Sequence, residues 1–143
     1  MNELIPPKLM EIINDFEFSE GREKIELLLQ YSEMMPELPE RIKKQHEAMD
    51  FVEECMTPVY VIAEQDENGM HFYFDVPVES PTVRGFAAIM ATGLDGTTPE
   101  QILKIPNDFY QLMGLDRVLT MQRLNGISAI LAHMKRIALQ STQ

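Results

Sequence analysis

The sequence predicts an α+β fold: a small antiparallel sheet of about three strands, helices packed on one face, an N-terminal helical hairpin and a long C-terminal helix. Two observations carry this expectation. Apolar residues recur at helical spacing towards both ends of the chain, while two short runs in the middle are rich in β-branched and aromatic residues. The order of helices, then strands, then helices is that of segregated rather than alternating elements.

Taken in order, "PPKLMEIINDFEF" places Leu9, Ile12, Ile13 and Phe16 on one helical stripe. Pro6 and Pro7 stand at its start, where a missing N–H costs least. Ser19 offers an N-cap for a second helix, with Glu20 and Glu23 suited to the positive end of its dipole. That helix, "KIELLLQYSEMM", stops at Pro36 and completes the hairpin. "PELPERIKKQHEAM" has two prolines and few apolar residues, so it reads as a surface connection containing a turn of helix. "PVYVIAEQ" and the alternating "MHFYFDV" then form two strands around Asn68-Gly69, a dipeptide suited to a type I′ turn. Residues 50–54 are expected to add a short third strand, because a lone hairpin is marginal in water.

Helical spacing returns after "VPVESP". Ser80 and Pro81 supply a cap and a first-turn proline for a stripe of Val83, Phe86, Ala87, Met90 and Ala91. Thr98, Pro99 and Gln101 form a capping-box pattern for a short helix. "PNDFYQLMG" reads as another helix, ended by Gly114. The last helix starts near Gln122 and carries Leu124, Ile127, Leu131, Met134 and Ala138 on one face.

The chain of 143 residues is long enough for one core, and residues 1–143 are taken as a single domain. A formal net charge of −11 argues against nucleic acid and against an anionic membrane surface, both of which need clustered lysine and arginine. No stretch of about 18 apolar residues reads as a membrane span. With no secretory pattern at the start and one cysteine, the expected location is cytoplasmic.

Few patterns carry chemistry. His46, His71 and His133 lack metal-binding spacing, Gly85, Gly93 and Gly96 form no phosphate loop, and no G-x-S-x-G elbow occurs. No resident cofactor or metal is expected. Glu53 and Glu54, adjacent on an extended chain, read as a solvated acidic rim. Cys55 remains, the sole cysteine, in a loop between a short strand and Pro58. It is either a small buried hydrophobe or a displayed thiol. A nucleophilic thiol must ionise, and two flanking carboxylates oppose that. The cations within the chain that could counter them are Arg84 and Arg123. Each is read as either a surface arginine or a flank of the loop. Gly85 and Gly126 lie beside them in helices, at about 1 kcal/mol each relative to alanine, which implies either misplaced helix ends or close backbone approach.

Four segments in order resemble the SufE family of sulfur acceptors in iron–sulfur cluster assembly. "YSEMMPELPERIK" is similar to the family helix ending in L-P-x-L-P, and "VEECMTPVYV" to its cysteine loop. "FYFDVPVESPTVRGFAAIMATGLDGTTPEQIL" resembles the segment containing V-[KR]-G, matched here by Val83, Arg84 and Gly85. "DFYQLMGLDRVLTMQRLNGISAILAHMKR" resembles the L-T-x-x-R-x-x-G helix, with Arg123 and Gly126 at the R-x-x-G positions.

The resemblance implies that Cys55 accepts persulfide sulfur from a pyridoxal-phosphate (PLP)-dependent cysteine desulfurase, stimulates that enzyme and passes the sulfur to an iron–sulfur scaffold complex. It implies a cysteine shielded in a partly apolar pocket until a partner draws it out, with Arg84 and Arg123 flanking the loop. A homodimer stays open. So do two other functions: an autonomous thiol enzyme, and an adaptor with an inert cysteine. The loop departs from the common pattern at Glu54, Met56 and Thr57. Met56 in place of glutamine predicts a more apolar pocket, and the added Pro58 a stiffer loop.

Overall fold

In the computed structural model, which describes residues 4–142, the N-terminal stripe forms helix α1, Pro7–Glu17. Leu9, Ile12, Ile13 and Phe16 are all buried, each contributing roughly 1.5–3 kcal/mol by leaving water. Helix α2, Arg22–Glu33, starts later than expected. Gly21 precedes it, and the Ser19 hydroxyl instead donates back to the Asp15 carbonyl at 3.0 Å. A serine four residues beyond an open carbonyl closes the helix behind it as readily as it caps the one ahead. Both helices pack on α4, Pro81–Gly93, and touch one another through the Phe16 and Tyr31 rings, 6.2 Å between centroids. The connection after α2 carries one short helix, α3, Glu40–Lys43, and a 3₁₀ turn over His46–Ala48.

The sheet is antiparallel in the order β1 (Asp50–Phe51), β2 (Tyr60–Asp66), β3 (Gly69–Asp75). β1 has two residues rather than the expected five, since the chain turns away at Val52. Val61 pairs with Phe74 and Ala63 with Phe72, and this face, with Met70 and Val76, turns towards α4 and the C-terminal helix. The opposite face is partly covered by side chains from the α3 region: Arg41 binds Glu64 at 2.7 Å and His46 binds Asp75 at 2.8 Å. The type I′ turn is not formed. Asp66 pairs with Gly69 across Glu67-Asn68, only Gly69 has positive φ (112°), and Asp66 Oδ1 accepts from the Asn68 N–H. A type I′ turn needs positive φ at both central residues. Here Met70, next to Gly69, is tied to Gly96 and Thr97 by two 2.8 Å backbone bonds, which hold the second strand in place.

α4 is the centre of the molecule. Phe86, Ala87, Ala88, Ile89 and Met90 are all buried, so it has no wide polar face. The Thr98–Gln101 capping box forms as expected and starts α5, Pro99–Leu103. "PNDFYQLMG" is not an α-helix. It makes only a 3₁₀ turn over Phe109–Gln111, and a second such turn, Leu115–Arg117, follows Gly114 at φ +74°. A segment this short cannot offset the cost of helix nucleation, and Phe109 is held by its ring against Phe86, 5.9 Å away. Helix α6, Met121–Ser141, buries every residue of its expected stripe. No helix among the described residues is long and apolar enough to cross a membrane.

One polar cluster gives the fold a pH signature. His71 on β3 bonds Asp95 at 2.6 Å and Asp66 at 3.0 Å, clipping the hairpin to the turn after α4. Hydrogen bonds to Asp95 and then Asp66 raise the His71 pKa, and those to His71 and Asn68 lower that of Asp66. The raised histidine contributes stability that is complete below its unfolded pKa and is lost as pH rises through its folded one. The lowered aspartate contributes stability lost as pH falls through its folded pKa. Urea midpoints should therefore decline towards both mildly alkaline and strongly acidic pH, and the alkaline decline should flatten in His71→Gln.

Candidate functional site

The cysteine loop begins where β1 ends. Val52 and Val59, both fully buried, pinch its base, with the Val52 N–H donating to the Val59 carbonyl at 2.9 Å. Between them the chain makes a tight turn, its Cys55 N–H reaching the Val52 carbonyl at 3.3 Å. The loop tip folds against α6 and the start of α4. Cys55 is 9% exposed, and its Sγ lies 3.4 Å from the Gly126 carbonyl oxygen. A Cβ on Gly126 would stand 3.1 Å from that sulfur, so glycine at this helix position makes room for the thiol.

Two further contacts hold the loop, and Arg136 backs one of them. Thr57 Oγ1 and Ser80 Oγ are 2.6 Å apart. The Ser80 hydroxyl is thus directed to the cysteine loop, and it makes no cap to the α4 backbone that follows. Glu54 accepts from His133 Nε2 at 3.1 Å. Arg136 Nη2 stands 2.6 Å from His133 Nδ1, and the same guanidinium lies 3.5 Å from Asp50 on β1.

Beside Cys55 opens a cavity of about 300 Å³, lined by Met56, Thr57, Ser80, Thr82, Gln122 and Arg123 among others. Burial first, and the Glu54 charge second, push the Cys55 thiol up to about 11. At rest it is a protonated, guarded thiol. Glu54 itself is held below the usual carboxylate range by its own backbone N–H and then by His133.

The two arginines part company here. Arg123 lines the Cys55 cavity, and its Nη1 donates to Thr82 Oγ1 at 2.9 Å. Arg84 faces another way. Its guanidinium donates to the Ser32 carbonyl at 3.2 Å and to the Val76 carbonyl, tying α2 to the end of β3. Arg84 is not among the residues around the cysteine. The helix face decides this: α4 turns Thr82 and Val83 to the cavity and Gly85 to α2. Met56 lines the cavity at the position where the common pattern has glutamine. It is 81% exposed at the cavity mouth.

The family model described as "Fe-S metabolism associated domain" (SufE) matches residues 10–138. The chain belongs to the SufE family. Membership ties it to iron–sulfur metabolism and to sulfur acceptance. An uncharacterised SufE-like protein of Mycobacterium tuberculosis is 39% identical over 133 residues, 92% of each chain. A Plasmodium vivax protein named "Cysteine desulfuration protein SufE" is 27% identical over 135 residues, covering 92% of this chain and 52% of that one. A solution structure of a hypothetical protein from Thermus thermophilus superposes with a TM-score of 0.84 at 32% identity, covering 96% of this chain and 98% of that one.

Within this SufE chain, two loop partners escaped sequence reasoning: His133 and Ser80 as a holder of Thr57. His133 falls outside the Leu124–Ala138 stripe, yet is only 6% exposed. A histidine three residues before Arg136, among buried positions of a helix, was the one available signal.

Proposed function

We propose that this SufE-family protein is a sulfur acceptor that takes a persulfide sulfur from a cysteine desulfurase onto Cys55. The observation that carries the reading is a sole thiol, lodged in a loop by a few polar contacts and opening onto a cavity with a cation in its wall. Family membership and a relative named for cysteine desulfuration support the choice of partner.

In the transfer step, Cys55 gives up its proton to solvent or to the partner, and its thiolate attacks the outer sulfur of the partner's persulfide. A new Cys55 Sγ–S bond forms as the partner's S–S bond breaks. The bonding pair leaves on the partner's cysteine, and the step is an exchange with no net oxidation. The partner is a PLP enzyme, and draining its persulfide stimulates its turnover. The loaded sulfur then passes to an iron–sulfur scaffold complex. The setting we infer is cytoplasmic.

Arg123 is the group placed to favour the anionic forms of Cys55 once the loop moves, because a nearby cation lowers a thiol pKa. Arg84 takes no part in this step and acts as a staple between α2 and β3. The exposed Met56, which lines the cavity, supplies a soft apolar contact for a partner surface. An autonomous thiol enzyme fits poorly, since its nucleophile would need a lowered pKa and this one is raised.

Mixing the protein with a cysteine desulfurase and isotopically labelled cysteine tests the reading. Peptide mass spectrometry should find one added, reductant-labile sulfur on Cys55, and Cys55→Ser should neither load nor stimulate. Stimulation by Cys55→Ser equal to wild type would overturn it.

A further inference from the structure

Two elements far apart in sequence meet at the cysteine loop through a chain of polar contacts that the transfer step does not use. Arg136 Nη2 is 2.6 Å from His133 Nδ1, and His133 Nε2 is 3.1 Å from Glu54 Oε1. A guanidinium can only donate, so Nδ1 accepts, and the ring proton sits on Nε2 and is donated to Glu54. The direction of every bond is thereby set, from Arg136 through His133 to the residue next to Cys55. Asp50, at the foot of the same loop, lies 3.5 Å from Arg136 and completes the circuit back to β1.

The exposures along this relay differ in a way that suggests its use. The His133 side chain is 8% exposed and sits in the rigid body of α6, whereas the Glu54 side chain is 58% exposed. One end of the bond is fixed in the core and the other can be reached from solvent. Beyond the Val52–Val59 bond at its base and the turn bond from Cys55 to Val52, residues 53–58 make no backbone bond that would fix the loop. Its position therefore depends on side chains: Thr57 on Ser80, Cys55 on Gly126 and Glu54 on His133.

We propose that His133 is a positioning residue for Cys55: through its bond to Glu54 it latches the cysteine loop shut, and releasing Glu54 frees the thiol. The accessible half of the latch is a carboxylate, so the partner group that opens it is a cation, a lysine or arginine that competes with His133 for Glu54. This makes the flanking acid the handle by which a docked partner draws the loop out. The inference takes Cys55 as the working thiol, as proposed above. Its test uses the isolated protein and no sulfur transfer, so a failed latch and a failed acceptor role give separate results.

The experiment is the rate of Cys55 alkylation in folded wild type, Glu54→Gln, Glu54→Ala and Glu53→Ala. All three variants remove one negative charge within two residues of Cys55. Only Glu54→Ala also removes the acceptor, because the glutamine amide oxygen can still receive the His133 N–H. Glu54→Ala should react about fivefold faster than Glu54→Gln, the ratio expected for losing one net hydrogen bond that holds the loop. Glu53→Ala, changing an exposed neighbour, should not exceed Glu54→Gln. Thermal midpoints for the four proteins should agree to within about 4 °C, since a single net hydrogen bond is removed. Equal rates for the alanine and glutamine variants at residue 54 would overturn the proposal, as would a Glu53→Ala rate matching Glu54→Ala.

Discussion

Gly85→Ala should lower stability by about 3 kcal/mol, near the upper end for overpacking a close-packed site, and depress the melting temperature by roughly 10 °C. The sign is the informative part. In an exposed helix interior the same change gains about 1 kcal/mol from helix propensity. Here a Cβ would overlap the Leu28 carbonyl oxygen and stand 2.9 Å from its carbonyl carbon. Both atoms are backbone of α2, so no rotamer change relieves the clash, and α2 must move off α4 as a body. That would also pull Ser32 away from Arg84, whose guanidinium spans from α2 to the Val76 carbonyl. Thermal or urea denaturation decides the matter. A stabilised Gly85→Ala would mean that α2 and α4 do not meet at this glycine. Persulfide loading in whatever remains folded should be intact, because Cys55 lies on another face of α4.

Folded Cys55 should alkylate at pH 8 roughly 200-fold more slowly than the same cysteine in the urea-unfolded chain. The estimate follows from thiolate fractions alone, comparing a folded value of about 11 with about 8.5 for a free thiol. Cover by the closed loop adds to it. The rate should keep climbing with pH well past 9 in the folded protein, while the unfolded chain levels off. A folded-state profile that levels off at or below about 8.5 would contradict a guarded thiol and favour a self-sufficient thiol enzyme. The same shift has a stability sign. Above its unfolded pKa the cysteine is ionised only in the unfolded chain, so stability falls as pH rises towards about 11 and is undisturbed below about 8.5. Cys55→Ser should lack that decline.

The fold was largely legible where a stripe met a uniform core. Leu9, Ile12, Ile13 and Phe16 needed only helical spacing to be placed, and so did the stripe of α6. Legibility failed where a residue had two local partners to choose from. Ser19 could cap forward or bond backward, and it bonds Asp15. Asn68-Gly69 could form a type I′ turn, but the strip at Gly96 and Thr97 holds the neighbouring Met70. "PNDFYQLMG" had helical spacing but too little length, and packing of Phe109 on Phe86 set its path instead.

Local sequence was enough to single out Cys55 as a thiol in acidic company, and its flanking carboxylates already implied a raised pKa. It was also enough to pair Arg84 with Gly85 and Arg123 with Gly126, and to raise close approach as one of two readings of both glycines. Tertiary structure alone decided what approaches each one. At Gly126 it is the sulfur of Cys55, and Arg123 lines the same cavity. At Gly85 it is the backbone of α2, and Arg84 becomes a staple. The physical reason is that helical spacing assigns a residue to a face, while the element covering that face arrives from elsewhere in the chain. His133 shows the same limit from the other side, since Glu54 is 79 residues away and no local period connects them.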